Sequence, residues 1–99
     1  MYYVLQGFDA PGTLDTRMAS RPAHLERLEA LRDEGRLLVA GPLPAIDSPD
    51  PGPAGFVGSL VIAEFASQTD AEAWLANDPY VAEGVFAKTA VYPYKKVLP

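Results

Sequence analysis

The sequence contains no cysteine among its 99 residues. This absence excludes disulfide bonds, thiolate nucleophiles and cysteine-based metal sites, and nothing in it suggests an oxidising compartment. Because the chain has a single histidine and its carboxylates show no recognisable ligand spacing, we expect no metal site. The sequence also lacks a glycine-rich phosphate loop and a serine nucleophile-elbow motif.

Long apolar runs and basic clusters are missing as well. No run approaches the roughly 20 apolar residues of a membrane helix, and residues 1–6 lack the features of a signal peptide. Eight Lys and Arg against thirteen Asp and Glu give a formal net charge of -5, which repels a phosphate backbone. We therefore expect a cytoplasmic protein that binds neither nucleic acid nor a membrane.

The length and composition predict one small domain that spans residues 1–99. The hydrophobic fraction of 48% is enough for a core, and the charged fraction of 21% argues against disorder. A domain of this size buries only a modest share of its surface, so association with another subunit helps to stabilise it.

Short runs of β-branched, aromatic and aliphatic residues predict four strands. These strands cover residues 2–8, 36–41, 56–65 and 85–97. We expect Leu60, Val61 and Ile62 of the third strand to be buried, and the last strand to be bent or interrupted at Pro93. Residues 42–55 carry five prolines, and we expect no regular element in this loop.

A period of about 3.6 residues predicts a helix after the first strand. Its apolar stripe consists of Leu14, Met18, Leu25, Leu28 and Leu31. Because an interior proline removes a hydrogen bond and clashes with the preceding turn, Pro22 places the start of the regular helix near Arg21. Ser20 would be its cap, and Gly35 its stop signal.

A capping box over residues 67–70 predicts the start of the second helix. Ala71, Trp74 and Leu75 give this helix an apolar face. Asp78 and Pro79 end it and begin a short helical turn before the last strand.

The resulting order β-α-β-β-α-β predicts a ferredoxin-like α+β fold. Two βαβ halves joined in this way form a four-stranded antiparallel sheet with both helices on one face. Phe8, Phe56 and the tyrosines near both ends make the other face more apolar than a solvated face needs. We expect a second copy of the chain to cover it, which predicts a homodimer or a higher homo-oligomer.

His24 is the only imidazole in the chain, so acid–base chemistry near neutral pH depends on it first. It precedes Leu28 by four residues and Leu31 by seven, which places it inside the apolar stripe, with Arg21 on the same side. Burying both residues costs free energy unless they are partnered, which favours a functional role. The alternative is a boundary histidine bonded to a backbone carbonyl, with Arg21 extending to solvent.

Two aspartates near the strand ends have structural explanations that compete with functional ones. Asp78 followed by Pro79 fits a helix cap with proline at the first helical position. Asp9 fits the turn that precedes Pro11. By themselves, both residues are explained by local structure.

Glycines interrupt the second and third strands at Gly41-Pro42 and Gly58-Ser59. A glycine in a strand marks a β-bulge or a place where another group approaches the backbone closely, and a bulge is the commoner cause. Ser59 alone is an ordinary strand residue.

Four short motifs taken together resemble the YciI-like (YCII-related) proteins. They are RPAHL at 21–25, GRLLVAGP at 35–42, GS at 58–59 and DPY at 78–80. The opening MYYV at 1–4 and the closing YPYKKV at 92–97 resemble the YciI branch in particular. The resemblance covers the whole chain in order.

This resemblance implies a ferredoxin-like subunit whose sheet pairs with that of a second subunit, the dimeric α/β barrel arrangement. It also implies a pocket with a His–Asp pair as its active site, in which the histidine matches His24 and the aspartate of the Asp-Pro motif matches Asp78. Most members have no established reaction. A related protein performs dehydrochlorination of a chlorinated hydroxyquinol, and related dimeric barrels include muconolactone isomerases and cofactor-free monooxygenases.

On this basis we expect a small enzyme that performs proton transfer, isomerisation or HX elimination on a small cyclic organic substrate, without a cofactor. His24 would be the base and Asp78 its orienting partner. The candidate substrate-binding residues are Arg21, Asp9, Gly41, Pro42 and Ser59. We also expect the loop over residues 42–55 to border the pocket. The alternative is a non-catalytic dimer that binds a small ligand or serves as an accessory module.

Overall fold

The chain forms one four-stranded antiparallel sheet with its helices packed on it in the computed structural model, which describes residues 1–99. The elements are β1 (Tyr2–Asp9), α1 (Leu14–Asp33), β2 (Leu37–Pro44), β3 (Phe56–Glu64), α2 (Gln68–Ala76), α3 (Pro79–Ala82) and β4 (Phe86–Tyr94). The strand order is β2-β3-β1-β4. This order confirms the ferredoxin-like α+β fold that the sequence predicts.

Alternate residues of the two central strands build the core, because successive side chains of a strand point to opposite faces. Tyr3 and Leu5 of β1 stand opposite Ala63 and Val61 of β3, and all of them are buried. The same core cluster includes two residues from each long helix: Leu28, Leu31, Ala71 and Leu75. Both long helices therefore cover the same face of the sheet.

The other face of the sheet carries no helix. Phe8, Val39 and Tyr92 lie on it and are 37%, 47% and 60% exposed. Leu60 and Ile62 also belong to this face and are only half-buried, so the prediction that they are buried was wrong. A broad apolar surface therefore remains open on one subunit.

The first helix begins earlier than the sequence predicts. α1 begins at Leu14 rather than near Arg21, and it continues through Pro22, so Ser20 lies inside the helix. Pro22 is exposed, and so is Met18, whose carbonyl loses a helical hydrogen bond; water can therefore replace the missing donor. The prediction that Met18 belongs to the inner stripe was also wrong. The buried residues of α1 are Arg17, His24, Leu28 and Leu31.

The proline-rich segment is more regular than the sequence predicts. β2 continues beyond Gly41 to Pro44, which is possible because β2 is an edge strand that does not need every N–H for pairing. Gly52–Ala54 forms one turn of 3₁₀ helix. The prediction of no regular element over residues 42–55 was therefore wrong at both ends of the loop.

The remaining elements lie close to their predicted positions. The Ser67 hydroxyl accepts a hydrogen bond from the Asp70 N–H at 3.1 Å, as a capping residue does. β4 includes Pro93 without an interruption there; its register against β1 shifts instead between Phe8 and Asp9. None of the helices combines the length and the apolar character that crossing a membrane requires.

Candidate active site

The imidazole of His24 lies on the inner face of α1, against the first residues of α3. Its Nδ1 atom is 2.9 Å from each carboxylate oxygen of Asp78. His24 is 7% exposed and Asp78 is fully buried. The two residues are 54 positions apart in the chain, so the fold alone brings them together.

Asp78 is a helix cap and a partner of His24 at the same time. Its Oδ1 accepts the Tyr80 N–H at 2.9 Å, and its Oδ2 accepts Arg27 Nη1 at 2.9 Å. Burial by itself would raise the pKa of Asp78. The hydrogen bond and charge of His24, the Tyr80 N–H and the Arg27 guanidinium together hold that pKa below its usual value. A negative carboxylate is therefore stable in this buried position.

Tyr80 connects the histidine to the core. Its ring stacks on the His24 ring with 4.0 Å between centroids and 14° between planes, and Phe86 meets it edge-on. Burial raises the pKa of Tyr80, although the charges of Arg17 and Arg21 act in the opposite direction. Its phenol therefore stays neutral near neutral pH.

Arg17 is a second buried charge that sequence reasoning missed. It is 3% exposed, and it donates from Nε and Nη2 to the two oxygens of Asp9, each at 2.8 Å. Nη2 also donates to the Ser59 hydroxyl at 2.9 Å. The guanidinium carbon lies 4.7 Å from the centre of the Tyr80 ring. Asp9 therefore serves as the counter-charge of Arg17 rather than only as a turn residue.

The helical spacing of α1 contains the signal that would have identified Arg17. Counting back from His24 by three and then four residues gives Arg21 and Arg17, on the side of the helix that continues to Leu28 and Leu31. The apolar residues Leu14 and Met18 instead indicated a neighbouring stripe of the helix as its inner face. Charged residues therefore define the inner face at the start of this helix.

A cavity of about 150 Å³ opens between α1, β2, β3 and α3. It is lined by Arg17, Arg21, His24, Leu25, Leu28, Ala40, Gly41, Pro42, Ser59, Val61 and Tyr80. No carboxylate is among these residues, because Asp9 and Asp78 lie behind Arg17 and His24. The cavity therefore presents positive and hydrogen-bond-donating groups in a chain with a net charge of -5.

Four of the five residues predicted to bind substrate line this cavity with His24. They are Arg21, Gly41, Pro42 and Ser59. Asp9, the fifth, contacts Arg17 instead. From the loop over residues 42–55, only Pro42 reaches the cavity. Other loop residues line an adjacent open cleft of about 520 Å³, together with Asp9.

Gly58 has a steric explanation. A Cβ atom at this position would collide with the carbonyl oxygen of Gly7 on the neighbouring strand. The close approach of β1 and β3 therefore requires glycine here, and it places the next residue, Ser59, against Arg17. No three His, Asp or Glu side chains gather where they could hold a metal ion.

The hydrogen bonds define what the imidazole can do. Nδ1 is bonded to Asp78, whereas Nε2 has no partner within the chain. Every fully buried polar side-chain atom has a partner, so the unpartnered Nε2 is accessible to solvent, and His24 lines the cavity. In the neutral ring, a carboxylate acceptor keeps the proton on Nδ1 and leaves the Nε2 lone pair available to accept another proton.

Comparison with known proteins agrees with this fold. The model of the YCII-related domain matches residues 1–95. Protein YciI of Escherichia coli is 58% identical over 97 residues, which cover 98% of this chain and 99% of that protein. An uncharacterised protein of Haemophilus influenzae is 54% identical, also over 97 residues, which cover 98% of this chain and 99% of that protein.

A solved structure similar to this chain is the 5-chloro-2-hydroxyhydroquinone dehydrochlorinase TftG of Burkholderia phenoliruptrix, in complex with 2,5-dihydroxybenzoquinone. It is 33% identical, has a TM-score of 0.83, and the match covers 96% of this chain and 94% of that one.

Proposed function

The chain belongs to the family of YCII-related domain proteins, and we propose that it is a small enzyme in which His24 is the base and Asp78 orients it. The observation that carries this proposal is the position of the imidazole between a buried carboxylate and a cavity. Nδ1 is 2.9 Å from Asp78, and His24 lines the cavity. A carboxylate in this position fixes the tautomer and raises the basicity of the free nitrogen.

The proposed substrate is a compact cyclic molecule with oxygen substituents. A cavity of about 150 Å³ is well below the ~300–1,000 Å³ of sites for drug-sized ligands, and it suits a single ring. Arg17, Arg21 and Ser59 supply hydrogen-bond donors to hydroxyl, carbonyl or enolate oxygens, while leucine, alanine and valine side chains contact the ring. The ring with oxygen substituents in the TftG complex is a ligand of this class.

The proposed reaction is a proton abstraction followed by one of two outcomes. Nε2 of His24 takes a proton from a ring carbon or hydroxyl, and the electron pair left behind moves into the ring. That pair then expels a leaving group as an anion, for a net loss of HX, or it is protonated at a different atom to give an isomer. The arginines offset the negative charge that develops on the substrate oxygens. Both outcomes conserve the oxidation state overall, so the proposal includes no cofactor.

The test uses 5-chloro-2-hydroxyhydroquinone as the substrate and 2,5-dihydroxybenzoquinone as a ligand. We expect chloride release by the wild-type chain, a large loss in His24→Gln, and saturable calorimetric binding of the quinone by both. Binding by the wild type without turnover of any ring substrate would instead support the non-catalytic ligand-binding module. Absence of both binding and turnover would contradict the proposed substrate class.

We also propose that two copies associate through the open face of the sheet. Val39 and Tyr92 on this face are 47% and 60% exposed, which is costly for apolar side chains in a lone subunit. Light scattering at micromolar concentration is expected to give the mass of a dimer, and Val39→Glu is expected to give a monomer. Val97→Glu, at an exposed position outside the strands, is the matched control. A monomeric wild type would contradict this association.

A further inference from the structure

Arg27 competes with His24 for the same buried carboxylate. Its Nη1 donates to Asp78 Oδ2 at 2.9 Å, and the His24 Nδ1 is 2.9 Å from that same oxygen. The guanidinium also has partners in α2: Nη2 donates to the Trp74 carbonyl at 2.7 Å, and the guanidinium carbon lies 4.1 Å from the centre of the Trp74 ring. Arg27 is therefore held in place whatever the charge of the imidazole.

A second cation beside Asp78 changes which charge state of the His24 imidazole is favoured. A fully buried carboxylate with histidine as its only charged partner favours a permanent imidazolium, because an unbalanced buried charge is costly. An imidazolium has no lone pair with which to accept a proton. Arginine remains charged at every physiological pH, so Arg27 already balances the charge of Asp78.

We propose that Arg27 is a positioning residue that sets the resting charge of His24: by balancing Asp78, it leaves the imidazole neutral and ready to accept a proton. This inference rests on the proposed role of His24 as a base. It predicts that His24 holds its proton to higher pH once the charge of Arg27 is removed, since Asp78 would then be balanced by His24 alone.

The other charged or titratable groups around His24 do not duplicate this role. From α1 they are Arg17, which is paired with Asp9, and Arg21, which is exposed. From α3 they are Asp78 itself and Tyr80, whose phenol stays neutral. The residues of β2 and β3 that line the cavity carry no charged group.

The test is an NMR titration of the His24 ring protons, which are the only imidazole signals of the chain. Arg27→Met is expected to move the titration midpoint to higher pH by about one unit relative to wild type, the effect of losing one nearby like charge. Arg27→Lys keeps the charge and is expected to restore most of the wild-type midpoint. Arg32→Met removes one charge from the exposed side of the same helix, where Arg32 lies beside Glu29, and is expected to leave the midpoint unchanged.

Arg27→Gln provides the same test if Arg27→Met does not fold, because an amide can still donate to Asp78 but carries no charge. A midpoint in the neutral variant equal to or below that of wild type would overturn the inference. An equal shift in Arg32→Met would also overturn it, because the effect would then be a general one of net charge. The proposed function fails by a different result, the absence of binding and turnover in the wild type, whatever the midpoint.

Discussion

Two aspartates with buried side chains pair with the inner face of α1, and their partners differ in one chemical respect. Asp9, at the end of β1, forms a two-bond ion pair with Arg17. Asp78, at the start of α3, binds His24 and Arg27. Arginine stays charged at any physiological pH, whereas histidine gains or loses a proton near neutrality. The first pair is therefore permanent, and the second can change its charge without moving.

The two pairs meet at one aromatic ring. Tyr80 lies 4.7 Å from the Arg17 guanidinium and stacks 4.0 Å from the His24 ring. Arg17 of the permanent pair and His24 of the titratable pair both line the cavity. The Asp9–Arg17 pair keeps a constant charge beside the cavity. The Asp78–His24 pair can accept or release a proton there.

Breaking the permanent pair has the largest expected effect on folding. Arg17→Met leaves Asp9 buried without its counter-charge, and we expect the free energy of unfolding to fall by about 3–5 kcal/mol. Urea denaturation measures this loss. The double variant Asp9→Leu/Arg17→Met removes both charges and is expected to regain part of it. A double variant less stable than Arg17→Met would contradict the account of Asp9 as counter-charge.

Breaking the titratable pair affects the reaction more than the fold. We expect His24→Gln to lower kcat for a ring substrate by about 10²- to 10⁴-fold, the usual contribution of a general base. Its free energy of unfolding should fall less than that of Arg17→Met, because no charge is left without a partner: Arg27 still balances Asp78. Steady-state kinetics and urea denaturation of both variants check this contrast. Comparable kcat in His24→Gln and wild type would contradict it.

The charge of Asp78 gives stability a defined dependence on pH. Because the pKa of Asp78 is lowered in the folded chain, its ionised form stabilises the fold at pH values above the ordinary 3.8. This contribution is lost as the pH falls below that value and through the lowered pKa of the folded state. We expect Asp78→Asn to be less stable than wild type at pH 7 and the difference to shrink in acid.

Urea denaturation from pH 7 to pH 3 measures this difference. Asp47→Asn, at an exposed position in the loop between β2 and β3, is the control for loss of one negative charge. A difference between Asp78→Asn and wild type that stays constant over this range would exclude an ionised Asp78 as its source.

Replacement of Arg21, the exposed cation of the cavity, has the smallest expected effect. Arg21→Met removes a donor that solvent already reaches, so stability should change little. Binding of 2,5-dihydroxybenzoquinone should weaken about tenfold, which corresponds to roughly 1.4 kcal/mol. Calorimetry measures the change, and Arg32→Met on the exposed face of α1 is the control. Equal weakening in both variants would mean that Arg21 does not contact the ligand.

The sequence predicted the fold because strand periodicity, capping and element order all agree. The cap at Ser67 and the turn at Asp78 are local patterns, and both occur where they were expected. The start of α1 could not be predicted in the same way. The cost of Pro22 concerns the helix alone, whereas the ion pair of Arg17 with Asp9 joins the first turns of α1 to β1 and depends on how these two elements pack.

The residues of the candidate site show the same contrast between local sequence patterns and contacts between elements. His24 was identified because it is the only imidazole on an inner helix face, and that information is local. The sequence did not indicate Arg27 and Arg17, because an arginine is expected at the surface unless it is paired with a buried carboxylate. Those carboxylates belong to other structural elements: Asp78 is 51 residues from Arg27, and Asp9 is only 8 residues from Arg17 but lies at the end of β1.

The most direct test of the titratable pair follows the His24 ring protons by NMR as a function of pH in wild type and in Asp78→Asn. Asparagine caps helices about as well as aspartate, so this variant removes the charge and keeps most of the cap. Because Asp78 favours the protonated imidazole, the account predicts a midpoint at lower pH in Asp78→Asn than in wild type. Identical titration curves would mean that Asp78 is only a cap, and would contradict the pairing on which the proposed function depends.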